Sequence, residues 1–315
     1  MSKVFWLSSS ALASNYKLWT SMFEGNAGNQ TFGTEHESPE ILARRCIRWD
    51  RARAVVEERS LLDDLQGFRI GAYRYLNARP LIYGIESLVK YGTPRELAVM
   101  MAQGELDAAL LSIVDVIKAD RYDVLDGVGI ASLGEVKSVV LFHSEPIEQV
   151  KVIYIDPASS GSFYLLRVIL KEWGLTPEIK TLSEWPPKLK PQNLLLIGDR
   201  ALDMQFQEHD YHILDVGAAW YEMTGLPFVH AVWAIRRDIN SERLRQGLRK
   251  AWKLGLANLD EIIRSEKRYT YEFRQDYLGW HLHFHVGSEE KRGISTFAKL
   301  LEIHGMGPVF DPKFV

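Results

Sequence analysis

The chain has 315 residues, is 46% hydrophobic and 25% charged, and carries a formal net charge of -3. That length accommodates two lobes, and a near-balanced charge without a long basic run gives no electrostatic case for nucleic acid. A single cysteine, Cys46, excludes an internal disulfide framework and a cysteine-based metal cluster, and suits a reducing compartment.

Taken in order, the chain opens on Lys3 and the apolar run Val4-Phe5-Trp6-Leu7, with Ser8-Ser9-Ser10 and Ala11-Leu12-Ala13 behind. The small residues resemble a cleavage site, but the run is shorter than the roughly 7–15 residues of a secretory core. No segment approaches the roughly 18 apolar residues of a membrane span. Residues 25–38 are polar and turn-rich and read as loop or disorder. From Pro39 to Leu65, arginines balanced by acids predict a solvated helix. Residues 1–67 therefore read as an extension, partly disordered or helical.

From Gly67 on, strands and helices alternate. Ile70–Tyr73 reads as a strand, Tyr75-Leu76-Asn77-Ala78-Arg79 as a polar elbow, and Pro80 as the first residue of a helix. Free N–H groups at such a place attract a carboxylate or phosphate, to which Asn77 adds an amide and Arg79 a charged fork. An ordinary strand-to-helix turn fits the same spacing. Thr93-Pro94-Arg95-Glu96 is a capping box with proline at the first helical position, and Gly104 closes that helix. Leu106 to Leu111 is a buried strand ending at Ser112. Two further strands, Gly127 to Ala131 and Val136 to Phe142, flank Ser132-Leu133-Gly134-Glu135. The strand Val150 to Ile155 runs into Ser159-Ser160-Gly161-Ser162, which either cradles a carboxylate or simply caps the next helix. Asn193 to Ile197 is a continuous apolar strand with Asp199 just beyond its end. A short strand follows at 213–215 and a longer one at 228–235, and two helices close the chain, from Ser241 to about Arg264 and from Glu289 to His304.

Strands alternating with helices imply α/β architecture with largely parallel sheets, whose ligands bind beyond the carboxyl ends of the strands. Asn77, Ser112, Ser138, Ser159 to Ser162 and Asp199 all fall there. They are hydrogen-bonding groups, and two anion cradles suit a dianionic ligand. His281, His283 and His285 would share one face of a strand, and three imidazoles can hold zinc; the competing reading, which we favour, is a polar outer face and no metal. No Gly-x-Ser-x-Gly elbow supports a hydrolase, and no glycine-rich phosphate loop follows a strand. Trp220, Tyr221, Phe228 and Trp233 could line a pocket for a flat ring, though such aromatics are more often core.

Tyr75-Leu76-Asn77-Ala78-Arg79-Pro80-Leu81 resembles the opening motif of the chorismate dehydratases of the futalosine route to menaquinone. Gly104 to Leu110, Ser132 to Val139 and Ile197 to Leu202 resemble later motifs of that family. So do Asp215-Val216-Gly217, Thr224 to Val229, Ala231 to Ala234, Tyr277-Leu278 and Gly287. The resemblance covers about residues 68–310. It implies a two-lobed, type 2 periplasmic-binding-protein-like α/β fold with a ligand cleft between lobes. Lobe 1 would comprise 68–144 and 232–315 and lobe 2 would comprise 145–231, with crossings near Ser144 and Ala231. It also implies a cytoplasmic hydro-lyase that dehydrates chorismate without a cofactor or metal, independent of nucleic acid and membrane; homodimer formation is left open. Asn77 and Ser138 would be catalytic. Tyr75, Arg79, Ser112, Ser159, Ser160, Gly161, Ser162 and Asp199 would bind substrate. Two departures stand out: Ser160-Gly161 replaces a usual Arg-Thr pair, and Arg74 replaces a small residue. The alternatives are a solute-binding protein without chemistry and the sister enzyme that makes 1,4-dihydroxy-6-naphthoate.

Overall fold

The computed structural model describes residues 58–187 and 191–315. The expected loop over 25–38 and most of the helix from Pro39 lie outside the described residues; the part within them, Glu58–Leu65 (α1), is helical.

Two sheets organise the rest. The larger contains β1 (Ile70–Ala72), β2 (Val89–Tyr91), β3 (Ala108–Ser112), β4 (Tyr122–Ser132), β10 (Phe228–Arg236), β11 (Leu282–His283) and β12 (Lys313–Phe314). Its order is β11-β4-β10-β3-β1-β2, with β12 also paired to β4. The smaller has the order β7-β6-β8-β5-β9, from β5 (Val139–His143), β6 (Val152–Ile155), β7 (Glu178–Thr181), β8 (Asn193–Ile197) and β9 (His212–Asp215). We call these sheets, with their helices, lobes 1 and 2.

The helices of lobe 1 are α2 (Arg79–Ile82), α3 (Pro94–Ala102) and α4 (Ile113–Ile117), then α8 (Glu242–Ala257), α9 (Leu259–Ser265), α10 (Tyr271–Asp276) and α11 (Ser288–Ile303). Lobe 2 carries α5 (Ser162–Glu172), α6 (Gly198–Gln205) and α7 (Val216–Thr224). The capping box is formed as expected: Glu96 N–H donates to Thr93 Oγ1 at 3.2 Å, and Thr93 N–H donates to Glu96 Oε2 at 2.7 Å.

Each sheet has a parallel run at one side, β3-β1-β2 in the larger and β7-β6-β8 in the smaller. Each also holds a strand of opposite sense. β10 runs antiparallel to β3 and β4, and β5 runs antiparallel to β8 and β9. These are the first strands after each passage between lobes. The parallel strands end at the junction, so a strand arriving from the other lobe starts there and must run the other way. This corrects the expected crossings near Ser144 and Ala231. β5 already belongs to the smaller sheet, and β10 belongs to the larger one from Phe228. The passages therefore lie at 133–138 and 225–227. An apolar run reads alike in either sheet, so hydrophobic pattern carried no information about the boundary.

One apolar core spans both lobes, and a smaller cluster of Val140, Phe142, Leu194, Leu196 and Ala201 covers the other face of the second sheet. Trp220, Trp233 and Phe228 are core residues. The outward passage is held by Asp215. Its carboxylate accepts from Val136 N at 3.0 Å and Lys137 N at 2.7 Å, and also caps α7 through Ala218 N at 3.0 Å. Burial pushes this carboxyl up to about 6, against three N–H groups that favour the charge.

Candidate active site between the two lobes

The strand ends that meet at the junction bring most of the expected residues together. Beyond β1 the chain makes one 3-10 turn, Leu76–Ala78, before α2. Asn77 is buried there, and its Oδ1 has no partner. Ser138 ends the outward passage. It is buried, its hydroxyl lies 3.4 Å from Val136 O, and its carbonyl accepts from Gly198 N at 2.8 Å. Ser112 ends β3 and caps α4, its Oγ accepting from Val114 N at 3.3 Å. Tyr75 packs its ring on Gly198 of lobe 2, where a Cβ would lie 2.5 Å from the ring.

The Ser159 to Ser162 segment approaches from lobe 2. Ser159 Oγ is buried without a partner. Ser160 Oγ donates to Asp115 Oδ2 of lobe 1 at 2.6 Å. Burial pushes Asp115 up to about 6 despite that bond. Gly161 lies so close to Ser112 that a Cβ would overlap the hydroxyl. Gly161 is also the N-cap of α5 and supplies no side-chain cap, so the helix that Ser162 opens has first-turn N–H groups open to an anion. Just upstream, Arg200 of α6 donates to buried Asp156 at 2.5 Å. Burial raises the Asp156 carboxyl above its usual range, against Ala158 N–H and Arg200. The other oxygen of Asp156 is buried and unpartnered.

Two expected substrate-binding residues are committed elsewhere. Asp199 fills the elbow itself: Oδ1 accepts from Leu76 N at 2.9 Å, and Oδ2 accepts from Arg268 at 2.8 Å. The anion that the elbow attracts is thus the protein's own. Arg79 turns toward α9, donating to Ser265 Oγ at 2.9 Å with Glu266 at 3.8 Å. Glu266 in turn pairs with Arg268 at 3.0 Å, so the charges run Arg79, Glu266, Arg268, Asp199 around the outside of the elbow. Burial would raise Glu266, but the Arg268 contacts carry it down to about 2. Arg74 is exposed and stacks on Tyr91 at 3.8 Å.

Sequence reasoning missed Tyr277 as a site residue. It begins a single π-helical turn, Tyr277–His281, after α10. It is fully buried, and its hydroxyl has no partner, although Ser138 and Asn77 lie near enough to favour its ionised form. Burial outweighs both and holds the phenol protonated far above neutral pH. The Tyr277-Leu278 motif marks the position, but nothing in it assigns the residue to the site, because its neighbours come from distant parts of the chain.

The histidines behave otherwise than a simple outer face. β11 is only two residues long, and His283 and His285 converge with Glu290 of α11, their ligand atoms all within 4.8 Å. His283 Nε2 lies 2.9 Å from Glu290 Oε1, while Oε2 accepts from Gly287 N at 2.8 Å. Both oxygens are thus engaged, one with the His283 imidazole and one in the helix cap. Burial alone would raise Glu290, but His283 brings it down to about 2.

Buried polar groups are almost always paired, and each unpaired one costs on the order of 1–3 kcal/mol. Asn77, Tyr277, Ser159 and Asp156 each keep such an atom, two from each lobe. Other described residues elsewhere keep such atoms too; these four are set apart by standing at the strand ends and turns where the lobes meet, which suits a polar ligand.

Comparisons with known proteins agree with this geometry. Chorismate dehydratase of Thermus thermophilus is 29% identical over 273 residues, covering 79% of this chain and all of that protein. Chorismate dehydratase of Campylobacter jejuni is 25% identical over 229 residues, covering 71% and 89%. Among solved structures, a protein from Archaeoglobus fulgidus aligns with TM-score 0.62 at 16% identity, over 76% of this chain and 98% of that one. The periplasmic aliphatic sulphonate binding protein of Escherichia coli aligns with TM-score 0.50 at 14% identity, over 79% and 93%. These structures support the periplasmic-binding-protein-like fold and nothing finer. The sequence model described as menaquinone biosynthesis matches residues 68–302, and by that match the chain belongs to the menaquinone biosynthesis family.

Proposed function

We propose that the protein is a chorismate dehydratase, removing water from chorismate to give 3-[(1-carboxyvinyl)oxy]benzoate. The observation that carries this reading is the set of unpartnered buried polar atoms where the two lobes meet, in a member of a menaquinone biosynthesis family. Chorismate has two carboxylates and a leaving hydroxyl. In this reading Asn77 hydrogen-bonds the leaving hydroxyl. Ser138 and Ser112 hold the enolpyruvyl carboxylate, and the Ser159–Ser162 end of α5 takes the ring carboxylate. Dehydration makes the ring aromatic, so the reaction is strongly downhill. Positioning and aimed hydrogen bonds can then supply most of the acceleration. The substrate's own carboxylate can accept the ring proton. Such an enzyme belongs in the cytoplasm, with the supply of chorismate. No helix among the described residues is long and apolar enough to cross a membrane.

The test is purified protein with chorismate, followed by ultraviolet absorbance and mass spectrometry. Loss of chorismate with an aromatic product lighter by one water is expected. Saturable binding of unchanged chorismate would instead indicate a binding protein, and neither binding nor turnover would overturn the reading. Asn77→Ala should lower kcat by about 10²–10³ with a much smaller change in KM, the scale of losing one aimed donor. Wild-type turnover in that variant would remove Asn77 from the chemistry.

A further inference from the structure

We propose that the Tyr277 hydroxyl is a third hydrogen-bonding group of the Asn77–Ser138 site and donates to the oxygen that leaves the substrate; this rests on the dehydratase reading. Three observations support it. The side chain is fully buried, yet its hydroxyl has no partner within hydrogen-bonding geometry. Phenylalanine would fill the same core volume without a polar atom to satisfy, so packing does not account for the hydroxyl. The hydroxyl faces Asn77 of the elbow and Ser138 of the passage between lobes, the two residues given the reaction. The Tyr277 ring lies near-parallel to that of Phe273, with centroids 5.7 Å apart and 10° between the planes. Finally, it lies on a π-helical turn, a departure from α-helix that recurs at functional sites.

The chemistry needs a neutral donor there. In the elimination, the electron pair of the ring C–H bond becomes a ring π bond, and the C–O pair leaves with oxygen. The proton from carbon ends on that oxygen, so the products are an arene and water. Negative charge grows on the oxygen as the C–O bond stretches. A phenol held protonated by burial lends a hydrogen bond at that moment and is not consumed.

The test compares wild type with Tyr277→Phe for kcat, for KM with chorismate, and for thermal midpoint. We expect kcat to fall by about 10²-fold, on the scale of one lost oxyanion donor. KM should stay within about threefold, as for an interaction made in the transition state. The midpoint should be unchanged or higher, because an unsatisfied buried hydroxyl has been removed. Unchanged kcat in the variant overturns the inference and leaves the dehydratase reading standing. A midpoint that falls together with kcat also overturns it, by showing a structural role. A wild type that leaves chorismate unconverted overturns the reading and this inference with it.

Discussion

Gly161 shows how one missing Cβ shapes the junction. Its φ is -123°, a conformation alanine adopts freely, so backbone strain gives no reason for glycine. The reason is contact: a Cβ would run into Ser112 Oγ and lie 2.8 Å from Ser112 Cβ, across the lobe boundary. Gly161→Ala should therefore leave each lobe folded and hold the lobes apart. We expect kcat/KM for chorismate to fall by at least about tenfold, roughly 1.4 kcal/mol, with secondary structure by circular dichroism unchanged. Full activity would show that the junction has slack. The same contact gives physical meaning to the departure at Ser160-Gly161. A side chain at 161 has no room against Ser112, and Ser160 uses its hydroxyl to reach Asp115.

Helix α6 acts as a clasp between lobes. Asp199 holds Leu76 N and Arg268, Tyr269 donates to Asp203 at 2.6 Å, and Phe206, just past the helix, lies 5.1 Å from Tyr269 and 4.8 Å edge-on to Phe273. Arg268→Ala removes one strand of the clasp. Its guanidinium is 45% exposed, so the pair is worth at most about 1 kcal/mol. That corresponds to a change in KM for chorismate of up to about fivefold, with a larger radius of gyration by small-angle scattering in the unliganded protein. An unchanged KM and radius would mean that the apolar contacts hold the clasp alone. The elements themselves were largely legible: the elbow, the capping box at Thr93 and the serines at strand ends follow from local spacing. Their partners were not. The Leu76–Asp199 bond spans 123 residues, and no local pattern reveals that a protein carboxylate fills the elbow. β4 likewise extends to Tyr122, well before the expected strand at Gly127, because its ladder with β10 supplies pairing that propensity cannot foresee.

Across the whole molecule, buried ionisable groups pull against one another. Burial raises Asp115 and Asp215 to about 6 and lifts Asp156 and Asp199 as well. It also lowers His281 and His285 to about 4 and His230 to about 3. A raised carboxyl gives stability that is present below about pH 3.8 and is lost as pH rises through 6, since the folded chain keeps a proton the unfolded chain releases. A lowered imidazole does the reverse. Its stability is present above about pH 6.5 and is lost as pH falls toward 4, since the unfolded chain gains a proton the folded chain refuses. The two sets act in opposite directions over the same window, so each offsets part of the other's effect on stability between about pH 4.5 and 6.5. The balance can be tilted at one place. Asp115→Asn keeps an acceptor for Ser160 Oγ and removes one group whose ionisation opposes folding. The midpoint of the variant minus that of wild type should therefore become more favourable as pH rises from about 4 to 7. Thermal unfolding of both proteins at fixed ionic strength measures that difference. A difference that stays constant with pH would show that Asp115 ionises as easily in the folded chain as in the unfolded one, and that the contact between Asp115 and Ser160 lies open to water.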